Sequence, residues 1–526
     1  MGRAEGSRAG RYRRRDEQEV VVKDWGGRLP VAIVYPNSYY VGMSNLGVHT
    51  LYRLLNDYRE IVAERIFYGD SPALSIESRR PLGHFAALAF SVSYELDYFN
   101  VVSMLRQNGF PLYAAERDQN QPLVMAGGAC ITANPMPLAP FFDCMCIGED
   151  EVVLPQVVEV LSQGIGQRDE CLKAISQIPG MYVPGYNDDR PIVRQWLNNL
   201  DDFVAGTAVF SRDTELGDMY LIEVERGCSR GCRFCLVGGA FCPMRYHSVE
   251  RLLEQAEFGL KYRNRIGLVG PAVADHPGIE ELLPRLLEMG DGLSVSSLRV
   301  SPLSPRVLEE LAKGGARSVA LAPEAGSQRL RSAIAKNVSR DDVLRAVAAV
   351  AESGIRQLKL YFMIGLPTEA DEDIEEMVAL VLESKALLDR LQPGCRLNLN
   401  VTPFVPKAGT PFQWLGMAPP ADLKRRLVWL KKALPPRGIA IRSESLAWSR
   451  VQAALARGDT RIAGVLADVA EASLAGWKKA LAGRRLDIDH YVLDEWPLDG
   501  ELPWGRLDMG VPRERLTKEL KAALNR

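Results

Sequence analysis

The sequence predicts an α/β protein: an N-terminal doubly wound parallel sheet, then a partial (β/α)6 barrel, then a helical C-terminal region. Short apolar segments alternate with amphipathic ones in two separate series, which is typical of parallel sheets covered by helices. The chain has 526 residues, of which 47% are hydrophobic and 25% are charged. This size and composition are ordinary for a globular protein of about two to four domains.

The first series spans residues 30–165 and predicts the doubly wound domain. We expect residues 1–29 to form a basic flexible tail and residues 166–217 a linker, because turn-forming residues dominate there. In a doubly wound sheet, ligands bind beyond the carboxyl ends of the strands. The predicted strands of this domain are 30–36, 85–94, 122–129 and 142–151, and the predicted helices are 48–58, 97–109 and 152–164.

The second series spans residues 218–420 and predicts six strands with helices between them. Six such repeats favour a partial barrel, whose chemistry belongs at the carboxyl ends of the strands. Residues 421–526 are predicted to be helical. The predicted barrel strands are 219–225, 265–270, 293–300, 318–323, 358–365 and 396–405.

Composition argues against several classes of protein. The formal net charge is −2, so no overall positive field draws the chain to nucleic acid or acidic lipid. The longest weakly charged run, residues 121–142, contains four prolines, which disfavours a membrane span. The nine cysteines are clustered rather than spread, which favours reduced thiols and a cytoplasmic protein over a disulfide framework.

The stretch "RGCSRGCRFC" at residues 226–235 places Cys228, Cys232 and Cys235 in one loop after the first predicted barrel strand. Three thiolates can hold a [4Fe–4S] cluster and leave one iron open to another ligand. The same residues are also compatible with core packing, or with a zinc site completed by Cys242 or His247. The spacing leaves these interpretations open.

"CSRGCRFC" after a strand resembles the cluster loop of the radical S-adenosylmethionine (SAM) superfamily, and later segments resemble that superfamily in order. The resemblance implies that Cys228, Cys232 and Cys235 hold the cluster and that its open iron binds SAM. Glycine-rich "LVGPAVADHPG" departs from the common Gly-Gly-Glu pattern. The SAM-binding residues implied by the resemblance are Phe234, Gly270, Arg299, Glu324, Lys336 and Gly365.

The segment "AGGACITANPMPLAPFFDCMCIGEDE" resembles the end of the cobalamin-binding-type domain that precedes many radical SAM cores. The Asp-x-His-x-x-Gly motif that supplies an axial histidine is absent. Three outcomes therefore stay open: cobalamin bound without a histidine ligand, another nucleotide-like ligand, or no ligand. The cobalamin-binding positions implied by the resemblance are Ser91, Ser93, Gly127, Gly128 and Gly148.

Cys130, Cys144 and Cys146 suggest a rival, because methylthiotransferases hold a second cluster with three cysteines in their N-terminal domain. We interpret these three residues instead as small buried side chains. If residues 142–151 form a strand, Cys144 and Cys146 point to the same side.

The whole chain resembles a bacterial radical SAM family with an N-terminal cobalamin-binding-type domain, and the resemblance supplies no substrate. It implies reductive cleavage of SAM to a 5′-deoxyadenosyl radical, with methyl transfer as the natural outcome if cobalamin binds. It also implies an electron donor such as flavodoxin or ferredoxin, and members often work beside a separate small domain. The alternatives are methylthiotransferase-like modification of RNA, which the neutral charge weakens, and a non-catalytic iron–sulfur sensor.

Overall fold

The structure, a computed structural model, describes residues 16–164, 167–295 and 298–525. Its N-terminal part is built on six strands: β1 (Leu29–Tyr35), β2 (Ile61–Phe67), β3 (Ala87–Ser91), β4 (Leu123–Gly127), β5 (Cys144–Cys146) and β6 (Met181–Tyr182). Their order in the sheet is β2-β1-β3-β4-β5-β6. The first five strands are parallel, and β6 runs antiparallel to β5.

Both faces of this sheet are buried, because helices cover each of them. Val31 and Ile33 of β1 pack into one core, whereas Ala32 and Val34 pack into the other. This is the doubly wound arrangement, and the strand order reverses between β1 and β3, where ligands bind in such sheets. The helices of this part are α1 (Tyr39–Gly42), α2 (Leu46–Asp57), α3 (Tyr98–Gln107), α4 (Ala129–Ala133), α5 (Asp150–Gly164) and α6 (Arg168–Ile175).

The barrel contains seven parallel strands: β7 (Tyr220–Glu223), β8 (Arg265–Val269), β9 (Gly292–Val295), β10 (Ser318–Glu324), β11 (Gln357–Ile364), β12 (Arg396–Pro403) and β13 (Ala440–Ser443). One group pairs in the order β7-β8-β9 and the other in the order β10-β11-β12-β13. A parallel bridge between Leu298 and Leu321 joins the two groups into one curved, open sheet. All the carboxyl ends therefore meet at one rim.

Helices flank the barrel and form most of the C-terminal region. The barrel helices are α7 (Val237–Ala240), α8 (Val249–Leu260), α9 (Ile279–Met289), α10 (Pro305–Lys313), α11 (Gln328–Ala333), α12 (Arg340–Glu352) and α13 (Asp371–Leu391). The C-terminal helices are α14 (Pro420–Ala433), α15 (Leu446–Arg457), α16 (Arg461–Asp468), α17 (Leu474–Arg484), α18 (Asp489–Val492) and α19 (Arg513–Leu524).

The structure differs from the sequence-based expectations in the N-terminal part. β2 was not predicted, because Glu64 and Arg65 interrupt its apolar pattern, yet both are buried. Arg65 forms an ion pair with Glu17 at 2.9 Å, so residues 16–29 pack on the domain rather than forming a free tail. Residues 1–15 of the predicted tail lie outside the described residues.

Two further expectations need correction. The predicted linker is largely structured, because it contributes α6 and β6 and because Ile192–Val193 pairs with Leu507–Asp508. The C-terminal region contains β13 as well as helices, since Ala440–Ser443 adds a parallel edge strand to β12. Within the predicted strand 293–300, residues 296–297 lie outside the described part of the chain.

Candidate active site

The cysteine loop begins directly after β7 and is closed at its base by a small antiparallel ribbon. Glu225–Arg226 pairs with Arg245–Tyr246, so the intervening residues form one bounded loop. Gly227 has a φ of +81°, and a Cβ there would lie 2.6 Å from the carbonyl oxygen of Phe241. Only glycine fits this turn without strain. The ribbon and the turn fix where the three thiols start.

Cys228, Cys232 and Cys235 are all partly buried free thiols. Burial raises the pKa of each of them, and it raises the pKa of Cys232 to about 11. The negative charges of Cys235 and Cys228 contribute to the raised pKa of Cys232, so the three sulfurs are close enough to interact electrostatically. These thiols are therefore expected to lose their protons only when a positively charged centre, such as a metal, binds them.

The donor set fits an iron–sulfur cluster better than zinc. Cys242 is bonded elsewhere, since its thiol contacts the carbonyl oxygens of Cys228 and Val237 at 3.5 and 3.7 Å. His247 is buried with its Nδ1 3.0 Å from Oδ1 of Asp201. Within the described residues, no three histidine, cysteine or acidic side chains are already gathered as metal ligands. The loop therefore offers three thiols, and Cys242 and His247 are both engaged in other contacts.

Charged side chains from the next strand ends surround the loop. Nη2 of Arg299 donates to Sγ of Cys228 at 3.2 Å and lies 3.0 Å from Oδ2 of Asp275. Arg230 reaches the same carboxylate at 3.2 Å. Arg299 thus stands beside Cys228, one of the predicted cluster ligands, with its charge already balanced by Asp275.

The predicted Glu324 and Lys336 form an ion pair with Nζ and Oε1 3.2 Å apart. Burial raises the pKa of the Glu324 carboxyl, and Lys336 opposes that shift. Lys336 also lowers the pKa of Cys232, so this pair faces the cysteine loop. Glu324 ends β10 at a bulge and has a φ of +70°, which turns the chain at the rim.

The remaining predicted SAM residues border the same rim. Phe234 packs against the core cluster that contains Leu366, and Gly365 follows β11 with its N–H donating to Oε2 of Glu369. Gly270 follows β8 and lies directly against Glu225. The structure therefore brings Phe234 and the five others to the carboxyl ends of the strands, around the cysteine loop.

Sequence reasoning missed Glu225, although it lies three residues before Cys228. Its side chain is buried, the backbone N–H of Ala272 donates to its Oε1, and its Oε2 has no partner among the described residues. Burial, together with the charge of Asp275, raises the pKa of this carboxyl to about 7. A buried acid with a free oxygen thus stands beside the Gly270-Pro271-Ala272 turn, where the sequence lacks the common acid.

A second feature of the site is an inter-domain cavity of about 310 Å³. It opens beyond the carboxyl ends of β3, β4 and β5, as expected for a doubly wound sheet. Its lining is mainly apolar and continues onto Ala240 and Phe241 of the barrel. The five predicted cobalamin-binding positions all line it: Ser91, Ser93, Gly127, Gly128 and Gly148.

A buried ion network joins this cavity to the cysteine loop. Arg226 contacts Glu149 at 3.0 Å, Glu151 at 2.5 Å and Glu223 at 2.8 Å. Arg245 binds Glu149 at 2.7 Å. Because Arg226 and Arg245 belong to the ribbon that closes the cysteine loop and Glu149 follows Gly148, the network holds the cavity wall against the cysteine loop. Sequence reasoning missed these residues, although Arg226 is part of the quoted cysteine stretch.

Cys130, Cys144 and Cys146 are not gathered in one place. Cys130 packs into one core of the doubly wound sheet, whereas Cys144 packs into the opposite one. Cys146 lies on the same side as Cys144, as predicted for a strand, and lines the inter-domain cavity. The separation of Cys130 from the other two opposes a second three-cysteine cluster.

Two family models match the chain: "Radical SAM proteins, N-terminal" over residues 47–184 and "Radical SAM superfamily" over residues 222–381. The uncharacterized protein MJ0966 of Methanocaldococcus jannaschii is 32% identical over 441 residues, which cover 82% of this chain and 89% of that protein. The chain belongs to the radical SAM superfamily. It is an enzyme of that superfamily, which implies a [4Fe–4S] cluster and SAM as cosubstrate.

The chain also has a more distant relative. An uncharacterized methyltransferase of Pyrococcus horikoshii, PH0819, is 25% identical over 272 residues, which cover 48% of this chain and 56% of that protein. Among the described residues of this radical SAM protein, none of the helices has the length and apolar character that a bilayer crossing needs.

Solved structures confirm the predicted fold class. The cobalamin-dependent radical SAM enzyme OxsB with aqua-cobalamin bound superposes with a TM-score of 0.54 at 12% identity, covering 94% of this chain and 79% of OxsB. The radical SAM methyltransferase TsrM from Kitasatospora setae, with cobalamin and a [4Fe–4S] cluster bound, gives a TM-score of 0.51 at 14% identity, covering 87% and 99%. At these identities the likeness shows the fold alone.

Proposed function

We propose that this radical SAM enzyme is a corrinoid-dependent methyltransferase with its corrinoid in the inter-domain cavity. The observation that carries the proposal is the cavity itself, because its walls come from β3–β5 on one side and from the cysteine-loop region on the other. All five positions predicted for cobalamin line it. Two solved structures of this fold are described as holding cobalamin.

The proposed cluster ligands are Cys228, Cys232 and Cys235. When bound, the cluster supplies the electron for reductive cleavage of SAM. Arg299 stands beside Cys228 and can turn from Asp275 toward an anionic carboxylate. Lys336 is a second cation at the same rim, and its partner Glu324 has carboxylate oxygens that suit ribose hydroxyls.

Glu225 is proposed to face the cationic amino end of SAM. A carboxylate with one unpartnered, buried oxygen favours a cation, because the attraction grows where water is excluded. Phe234 and the backbone at Gly365 border the rim position proposed for adenine. In this proposal the carboxylate, the amino group and the adenine of SAM each lie at the end of a different strand.

In the cavity, the chain itself offers an apolar surface with hydroxyl groups at Ser91 and Ser93. When bound, a corrinoid supplies a methyl carrier beside the radical centre. Thr132 holds the Gly148 turn by accepting its N–H at 3.1 Å. Burial and the neighbouring charge of Glu151 raise the pKa of the Asp150 carboxyl in the cavity wall.

The test is an oxygen-free reconstitution with iron, sulfide and hydroxocobalamin, followed by gel filtration and by incubation with SAM and dithionite. We expect about four irons per chain, retained corrinoid, and 5′-deoxyadenosine or S-adenosylhomocysteine as products. Changing Cys228, Cys232 and Cys235 together to serine should abolish bound iron. Zinc alone, or a cluster whose electron paramagnetic resonance signal ignores SAM, would contradict the proposal and favour a structural or sensing role.

A matched pair of glycine variants tests the cavity separately. At Gly127 an added Cβ meets only the Cβ of Cys146, at 3.7 Å, so Gly127→Leu should fill the cavity without breaking the sheet. Gly83 is exposed with open space around it, and Gly83→Leu is the control. We expect Gly127→Leu to lose corrinoid but keep iron, whereas equal corrinoid in both variants would place the ligand elsewhere.

A further inference from the structure

The inner surface of the barrel has a different chemical character on its two sides. Along β11 and β12 buried residues alternate with accessible ones, and Leu360, Phe362 and Leu399 pack into the core that the barrel helices cover. The residues between them therefore face the interior of the barrel. On the opposite side, a Cβ at Gly267 of β8 would lie 2.7 Å from the side chain of the buried Leu221, so apolar atoms fill that side.

The inner surface of β11–β13 carries polar and cationic side chains instead. The strand register places Tyr361, Asn400 and Arg442 side by side in one row, and Lys359 and Asn398 side by side in the row below. We name these five side chains the lumen face. Within the part of the chain that the structure describes, none of the five makes a hydrogen bond or an ion pair, and Tyr361 is 37% exposed. The lumen face is therefore accessible, and its hydrogen-bonding groups are unused.

Positive charge predominates around the lumen face. Arg396 is exposed at the start of β12 and points to the same side, so it adds a third cation to Lys359 and Arg442. The nearest acid along these strands is Glu444, which is exposed directly after β13. Two further acids at neighbouring strand ends are already ion-paired: Glu223 and Glu324. The surface as a whole therefore favours an anion.

We propose that the lumen face binds the substrate and that the substrate is a small organic anion. This inference rests on the proposed function, because it assigns the substrate of that enzyme. The lumen face extends upward to the proposed SAM site, since Met363 and Phe234 pack against the same core cluster. Successive inward-facing residues of a strand lie about 7 Å apart, so a molecule held by the row of Tyr361 lies one row below Met363.

The parts of the lumen face suit different features of such a molecule. The planar guanidinium of Arg442 can bind a carboxylate or a phosphate through two parallel hydrogen bonds, and Lys359 supplies a second cation. The amides of Asn398 and Asn400 both donate and accept hydrogen bonds, which suits hydroxyl and carbonyl groups. The apolar side at Leu221 suits a hydrocarbon part. A row across three strands spans about 10 Å, which matches a small molecule.

The test measures binding of two anions, each beside an uncharged counterpart, by ligand-observed NMR titration of the oxygen-free holoenzyme. Glutarate is compared with glutaramide, and ribose 5-phosphate with ribose. Saturating SAM is present and reductant is absent, so that Arg299 and Lys336 are occupied and no SAM is cleaved. Arg442→Gln and Lys359→Gln change the lumen face. Arg437→Gln is the control, because Arg437 is exposed in the turn before β13, at the other end of that strand.

We expect at least one anion to bind more tightly than its uncharged counterpart. Arg442→Gln and Lys359→Gln should each weaken binding of that anion about tenfold or more, because each removes a charge-assisted hydrogen bond. Arg437→Gln should bind it as the unmodified enzyme does. A preference for glutarate would identify the substrate as a carboxylic acid, and a preference for ribose 5-phosphate would identify it as a phosphate ester. Iron content and circular dichroism confirm that each variant is folded and loaded.

Three results would overturn the inference. If neither anion binds better than its uncharged counterpart, the lumen face does not recognise negative charge. If Arg437→Gln weakens binding as much as Arg442→Gln does, the anions respond to overall charge rather than to the lumen face. If Arg442→Gln weakens binding of a single-stranded RNA but of neither small anion, the barrel accepts a macromolecule. Anion binding that depends on Arg442, in an enzyme that forms no 5′-deoxyadenosine with dithionite, would support the lumen face and contradict the proposed function.

Discussion

Glu225→Gln should change how the stability of the enzyme depends on pH. Burial raises the pKa of this carboxyl from 4.5 to about 7, so the folded protein holds the proton over a range where the unfolded chain has released it. Stability therefore falls as the pH rises through this window. Glutamine keeps an oxygen that can accept the Ala272 N–H but carries no charge, so the variant escapes this loss.

The size of the effect follows from the two pKa values. At about 1.36 kcal/mol per pKa unit, the full penalty of ionising Glu225 is at most about 3.4 kcal/mol. Between pH 5.5 and 8.5, the unmodified protein should lose about 2 kcal/mol more stability than Glu225→Gln. For domains of this size that difference corresponds to roughly 4–8 °C in relative melting temperature.

Differential scanning calorimetry of the oxygen-free holoenzyme, without SAM, measures this difference at pH 5.5, 7.0 and 8.5. Glu309→Gln, which changes an exposed carboxylate on α10, is the matched control and should follow the unmodified protein. SAM binding gives the second readout, because losing a charged hydrogen bond of about 1.5–3 kcal/mol weakens affinity roughly 10- to 100-fold. Parallel melting curves for Glu225→Gln and Glu309→Gln across pH would refute the reasoning.

Three further perturbations have clear expected outcomes. Gly148→Ala should lower the free energy of unfolding by about 3 kcal/mol or more, because φ is +122° and the new Cβ would lie 2.1 Å from the carbonyl oxygen of Gln195. Thermal unfolding measures this loss, with Gly83→Ala as the control. Equal melting temperatures for the two variants would contradict the prediction. Arg226→Met should lower the free energy of unfolding by about 3–5 kcal/mol, because it leaves buried carboxylates unpaired. Thermal unfolding at several pH values measures this loss. Stability that recovers at lower pH, where the carboxylates are protonated, would support this cause. Cys146→Ser should leave the iron content equal to that of the unmodified protein, at about four per chain. Iron analysis measures it, and about eight irons in the unmodified protein that fall to about four in the variant would restore the second-cluster hypothesis.

The regular strands and helices could be predicted from the sequence because the pattern of apolar residues along each element indicates which side chains are buried. β1 is mainly apolar and β12 alternates polar with apolar residues, and their predicted ranges overlap the observed strands. β2 could not be predicted, because Glu64 and Arg65 are buried only by virtue of distant partners. Arg65 finds Glu77 at 2.6 Å and Glu17 at 2.9 Å. Such pairing depends on tertiary contacts that local pattern does not contain.

The site residues also fall into two groups, those that could be predicted from the sequence and those that could not. The spacing of the cysteines and the glycine-containing turns are local sequence patterns that predict functional loops. Cys228 and Gly148 could therefore be identified from the sequence. Glu225, Asp275 and Arg245 could not, because each is an ordinary charged residue until another strand end approaches it. The buried, unpartnered oxygen of Glu225 becomes visible only when the Gly270 turn is placed against it.

The residues that cover the cysteine loop come from the C-terminal end of the chain, so they are synthesised long after the loop itself. Leu507–Asp508 pairs with Ile192–Val193, and Glu519 binds Arg233 inside the loop. During translation these covering residues emerge nearly three hundred positions after the thiols. A growing chain therefore lacks these contacts around the loop until its last residues have been made.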